Sequence, residues 1–129
     1  MIALDTNVVV RLLVDDDPGQ TRRARKLLEA RTALVLPTVL LETEWVLRGA
    51  YDIGRATIAG SIRQLLGLPN IALANAQAIA QALEWFEAGL DFADALHLAL
   101  AGEAEGFVTF DARLAKRARR ITARAVSAL

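Results

Sequence analysis

Two aspartates stand directly behind short apolar runs: Asp5 after Ile2 to Leu4, and Asp111 after GFVTF (106–110). An acid in that place is a good N-cap for a following helix. It is also where open parallel sheets bind ligands, beyond the carboxyl ends of their strands. One such acid fits either reading equally, and two at one sheet edge favour a site. Glu42 lies in VLLETEWVL, and its neighbours three and four residues away, Thr38, Val39, Trp45 and Val46, cannot pair with its charge. An unpaired carboxylate on an apolar helix face is costly unless something binds it. The plainer alternative is a carboxylate that reaches solvent at the helix edge. Glu44 differs, because Arg48 four residues on offers an ordinary helical ion pair. In DFADALHLAL, Asp91 and Asp94 share a first helical turn, where anions are favoured. One cap suffices there, so Asp91 takes it and Asp94 is left for other work.

Asp5, Glu42, Asp94 and Asp111 are thus four candidate oxygen ligands. Clustered carboxylates repel one another and need a cation between them. Hard oxygen ligands select Mg2+ or Mn2+. Such an ion can activate a water molecule and neutralise charge on a phosphodiester. The chain has no cysteine and one histidine, His97, which argues against zinc and reads as a core or supporting residue. Glu29, Glu84, Glu87, Glu103 and Glu105 read as helix surface. Net charge is zero but unevenly spread. From Arg113 to Arg124 six basic residues occur without an acid (Arg113, Lys116, Arg117, Arg119, Arg120, Arg124), and Arg22, Arg23, Arg25 and Lys26 form a second group. Such segments could hold a nucleic-acid strand running into the site. The chemistry indicated is metal-dependent hydrolysis of nucleic acid.

Positioning those acids falls to alternating strands and helices. Ile2 to Leu4 reads as a first buried strand, and DTN starts a helix. DDDPG (15–19) is a turn with solvated acids, and Pro18 opens a helix to about Arg31. ALVL (33–36) is a second strand, followed by a helix from Pro37 to about Arg48 that Gly49 closes. Gly54 to Leu66 is a helix, IALA (71–74) a third strand, and Asn75 the N-cap of a helix over 76–88 stopped by Gly89. A helix over 91–103, a strand over 106–110, a short basic helix after Asp111 and a last strand within 121–126 complete the pattern. Short strands apolar on both faces, alternating with helices, predict an α/β fold around a parallel sheet covered on both sides.

At 129 residues, with no repeat or linker, the chain reads as one domain, 1–129. Its 54% hydrophobic content and mean hydropathy of +0.33 are high for so small a domain. That predicts apolar surface covered by another subunit or partner. No apolar run is long enough to span a bilayer, and the first strand begins at Ile2 without a basic leader, so a cytoplasmic location is expected.

Four blocks, MIALDTNVVVRLL, ETEWVL, DFADALHLALA and GFVTFDARLAKRA, resemble the PIN domain family, in particular the VapC-type toxins of bacterial toxin–antitoxin pairs. The likeness runs nearly end to end and in order. It implies a three-layer α/β/α fold with a short parallel sheet of four or five strands. It also implies Mg2+- or Mn2+-dependent endoribonuclease activity. The family's acidic site maps by position onto Asp5, Glu42, Asp94 and Asp111. Asp91 becomes an accessory acid, and Asn7 and Thr109 small polar residues that orient acids or water. Arg113, Lys116 and Arg117 are candidate RNA contacts. Many relatives carry another acid or amide soon after the last aspartate. This chain has Ala112 and Arg113 there, which favours one tightly held ion. The resemblance further implies a homodimer, and inhibition by an antitoxin protein that lays a helix or tail over an apolar groove near the site.

Other readings fit less well. A dehalogenase-type phosphatase wants an acid two residues after its first aspartate, where Asn7 stands. A receiver wants a lysine after a late strand, whereas Lys116 sits on the helix past Asp111. Neither accounts for Glu42. A non-catalytic RNA- or protein-binding module gains nothing from acids that repel phosphate. The residues leave DNA and RNA both open as substrate, and the resemblance favours RNA.

Overall fold

Apolar runs of three or four residues, too short for helices, become strands, and prolines and glycines between them set where helices begin and end. The computed structural model describes all residues, 1–129. The chain divides into two compact units, Met1–Ala74 and Asn75–Leu129.

The first unit runs β1 (Ile2–Ala3), α1 (Thr6–Leu13), α2 (Pro18–Ala30), β2 (Ala33–Val35), α3 (Pro37–Gly49), α4 (Arg55–Leu66) and β3 (Ile71–Leu73). Its three strands pair in parallel in the order β1-β2-β3, with Ile2 opposite Ala33 and Ala33 opposite Ile71. Pro18 and Pro37 stand at first helical positions, where a missing N–H costs nothing. Val9, Val35, Leu40, Leu47, Ile58 and Ile62 form a core almost wholly closed to water.

The acidic turn before α2 is not simply solvated. Asp17 caps α2 by accepting from the Gln20 amide at 3.1 Å. Asp16 accepts from the Tyr51 hydroxyl at 2.6 Å and from Arg11 Nη1 at 3.1 Å, and Arg11 Nε also donates to Gln20 at 2.7 Å. The Tyr51 hydroxyl, more than the Arg11 charge, holds the Asp16 carboxyl below its ordinary range.

On α3 the residues facing the core are Leu40, Thr43, Glu44 and Leu47. Glu44 is 2% exposed, and Arg48 Nε donates to it at 3.0 Å, so the expected ion pair forms but lies against the core. The Arg48 side chain is itself 54% exposed, so the pair is buried on the Glu44 side only, and removing Arg48 leaves that carboxylate without its donor. Arg48→Ala is therefore expected to destabilise the fold by about 2–3 kcal/mol. Urea denaturation would show this as a lower midpoint at unchanged slope.

The second unit runs α5 (Ala76–Glu87), α6 (Phe92–Leu100), β4 (Phe107–Thr109), α7 (Ala112–Ile121) and β5 (Val126–Ala128). Helices α5 and α6 pack as a hairpin, with Phe86 and Phe92 edge to face, ring centroids 5.3 Å apart. Gly89 ends α5 at φ +120°, where a side chain is strained, and the Leu90 amide returns to the Trp85 carbonyl at 3.0 Å. Strands β4 and β5 pair in parallel, with Phe107 opposite Val126 and Thr109 opposite Ala128.

Three expectations shift here. Asn75 precedes α5 at φ +58° and makes no cap hydrogen bond, so it turns the chain rather than capping. Asparagine tolerates that left-handed conformation. Helix α6 stops at Leu100 instead of 103, and Gly102 takes φ +50° just beyond it. The basic helix runs to Ile121, pushing the last strand to Val126–Ala128. The α/β architecture with short parallel strands stands as expected, as three strands plus two. No helix is long and apolar enough to cross a membrane.

Candidate active site

Asp91, expected as an accessory acid, and Asp111, a candidate ligand, are both helix caps. Asp91 caps α6, its Oδ2 accepting from the amides of Ala93 at 3.1 Å and Asp94 at 3.4 Å. Asp111 caps α7, its Oδ1 accepting from the amides of Arg113 and Leu114, both at 3.0 Å. Each cap uses one oxygen and leaves the other for a ligand. Thr109 Oγ1 accepts from the Asp111 amide at 3.0 Å, so this residue orients the acid's backbone.

Asp94, the third residue of α6 and the donor of the second amide to Asp91, is partly buried. Its carboxyl is pushed above the ordinary aspartate range, first by burial, then by the charges of Asp91 and Asp111. His97, one turn along, opposes the shift. The structure thus brings Asp91, Asp94 and Asp111 into one electrostatic group. His97 is exposed, so of its two expected readings, core or supporting residue, the core one falls away.

In the first unit, Asp5 is exposed at the N-cap position of α1, directly after β1. Its carbonyl accepts from the Val8 and Val9 amides, yet its side chain makes no cap hydrogen bond. The capping explanation for this carboxylate therefore falls away. Asn7 is exposed in the first turn of the same helix. Glu42 is exposed on α3, on a surface shared with Thr38 and with Trp45, which is 66% exposed. The inference that burial strands this carboxylate fails, because Glu44 occupies the buried stripe instead. What remains is a solvent-facing carboxylate.

No three acidic or histidine side chains are drawn tightly enough together to hold a metal ion as they stand. Mutual repulsion opposes such closeness when no cation intervenes. The donor chemistry nevertheless suits a hard divalent ion. A cation beside Asp94 would relieve the charge crowding that raises its carboxyl.

Half of the basic cluster is structural. Arg117 donates to the Gly89 carbonyl at 3.0 Å and Arg119 to the Val126 carbonyl at 3.1 Å. Arg124 donates to the Leu98 carbonyl at 3.0 Å and lies over the Trp85 ring. Arg113 and Lys116 are exposed. Arg120, noted in the sequence as part of the basic segment but not singled out as an RNA contact, is exposed like them. Its signal is the spacing 113, 116, 117 and 120, one face of α7.

Parallel strands with carboxylates at their ends and at helix starts define a class, the α/β proteins that bind at the carboxyl edge of a sheet. Residues 2–120 match the PIN domain, and the chain belongs to that family. The PIN domain is an α/β/α fold, and its members are typically metal-dependent nucleases, which supports a hydrolase acting on nucleic acid here. A search of curated proteins found no match.

Proposed function

We propose that this chain, acting as a single domain over 1–129, is an endoribonuclease dependent on Mg2+ or Mn2+. In this reading it is the VapC-type toxin of a toxin–antitoxin pair, working in the cytoplasm as a homodimer. Asp5, Glu42, Asp94 and Asp111 supply the ligand oxygens for one ion, with Asp91 as an accessory acid. The observation that carries this reading is the PIN-domain match over residues 2–120, and the grouping of Asp91, Asp94 and Asp111 in the second unit supports it.

A bound ion supplies charge neutralisation at the phosphodiester and lowers the pKa of a water molecule. The chain's own residues do the positioning. The caps fix the Asp91 and Asp111 side chains against backbone amides, and Thr109 fixes the backbone of Asp111. Asn7, two residues from Asp5, is placed to orient water or acid. Arg113 and Lys116 hold the RNA backbone, and Arg117 adds charge while tied to Gly89. For the antitoxin, the first unit offers a groove of about 520 Å³, which lies at the C-terminal end of α1, the end opposite Asp5, and not near the site as the resemblance implied. Leu12, Leu28, Leu65 and Leu68 line it, with Arg25 and Glu29 among its polar residues, which suits an amphipathic helix or tail.

The test is cleavage of a mixed structured-RNA pool by purified, antitoxin-free protein, with Mn2+ or Mg2+ against excess EDTA. Metal-dependent cuts are expected. A folded, metal-binding protein that leaves every RNA intact would move the reading to a binding role.

A further inference from the structure

Phe110 is 83% exposed, more than any other large apolar side chain of this protein. Phe110 follows directly on the end of β4 at Thr109, and Val108 within that strand is itself 60% exposed. The Leu129 amide donates to the Thr109 carbonyl at 2.8 Å, carrying the β4–β5 pairing one residue further. Leu129 is likewise 78% exposed.

The position of this aromatic is informative. Phe110 immediately precedes Asp111, whose backbone is held by Thr109 and whose side chain caps α7. The ring thus projects from an anchored stretch of backbone. Arg113 lies three residues on, its Cα no more than about 11 Å from that of Phe110. A cation and an aromatic face flanking a carboxylate match a single-stranded nucleic acid, which presents a phosphate and a base face at each nucleotide. A duplex hides its base faces in the stack.

Building on the nuclease reading above, we propose that Phe110 stacks on a base beside the scissile phosphate, so that the substrate is unpaired at the cut. A second copy of this chain fits the face less well. Two-fold self-pairing sets a patch on itself, crowding Asp111 against Asp111 and Arg113 against Arg113. Three apolar side chains also fall far short of the roughly 20–30 residues a side of a stable interface.

The experiment uses the Asp5→Asn protein, to prevent cleavage, and single-stranded oligoribonucleotides carrying 2-aminopurine at successive positions. Stacking quenches that base. Quenching at one position is expected with Phe110 and with Phe110→Trp. Phe110→Leu and Phe110→Ala are expected to abolish the quench and weaken binding about 5- to 150-fold. Melting temperature and oligomeric state should stay unchanged, because the side chain is in water. Full binding and quenching by Phe110→Leu would overturn the inference, as would a change of oligomeric state in the Phe110 variants. Absence of RNA binding by the parent protein would overturn it too. Failure of the nuclease reading registers separately, as no metal-dependent cleavage by the wild-type chain, whatever the quench reports.

Discussion

Asp94→Asn is expected to cut metal-dependent RNA cleavage by on the order of 10³-fold while raising the melting temperature of the metal-free protein at neutral pH. The two effects share a cause. Burial and the charges of Asp91 and Asp111 push the Asp94 carboxyl above its ordinary range. The folded state therefore binds this proton more tightly than the unfolded state does. By linkage, the ionised group opposes folding at pH values above its folded pKa. As pH falls through that raised value towards the ordinary one of 3.8, the wild type gains stability, and below both values it gains no more. Asparagine carries no charge, so the variant should lack this contribution to the stability–pH curve and be the more stable protein at neutral pH. Added Mg2+ should reverse the ranking, since a ligand at 100 times its Kd stabilises the fold by about 2.7 kcal/mol. The variant should lose most of that gain. Thermal melts with EDTA and with Mg2+, beside cleavage rates, decide the matter. Wild-type activity in the variant, or a lower melting temperature in EDTA, would sink the assignment.

The second large effect separates Asp5 from Asp111. Asp5→Ala is expected to lose cleavage by a similar factor, on the order of 10³-fold, yet to keep its stability within about 0.5 kcal/mol. Its side chain makes no cap hydrogen bond, so the fold loses little beyond a weak interaction with the α1 dipole. Asp111→Ala should lose activity and about 1 kcal/mol of stability together, because two amides at the start of α7 lose their acceptor. Asp111→Asn should restore the stability and not the activity, since asparagine caps as well as aspartate but does not carry the charge. Denaturant midpoints beside cleavage rates test all three. An active Asp5→Ala protein would remove Asp5 from the site, and an active Asp111→Asn protein would reduce Asp111 to a cap.

Features set by local chemistry were legible in the sequence. Pro18 and Pro37 open their helices and Gly89 closes α5, because ring geometry and positive φ act within a turn of chain. The first four strands read correctly as apolar runs, although each is shorter than its run, since pairing depends on a neighbour distant in sequence, and the fifth lies beyond the stretch expected for it. Burial was harder. Glu44 looked like an ordinary ion pair and Glu42 like the stranded acid, yet the core took Leu40, Thr43, Glu44 and Leu47. That spacing of three, four and seven was present in the sequence, and the polar identity of two members masked it. The acids after strands were legible as candidates. What the sequence did not show was that the Asp91 and Asp111 caps each use a single carboxylate oxygen, or that Asp5 does not cap at all. Among the basic residues, sequence could not separate those that tie backbone carbonyls, such as Arg119 and Arg124, from those left to solvent.

On the proposed function Asp91 and Asp111 carry two duties, which limits how such a chain can drift. At Asp91 and Asp111 a glutamate would keep the charge, but its extra methylene carries the carboxylate past the amides that a cap must reach. An asparagine would keep the cap and lose the charge. Each position is thus closed to both conservative exchanges at once, and a descendant that gives up catalysis can still fold by passing through asparagine. Asp5 carries no such second duty, so its loss would leave a decayed copy with no structural scar.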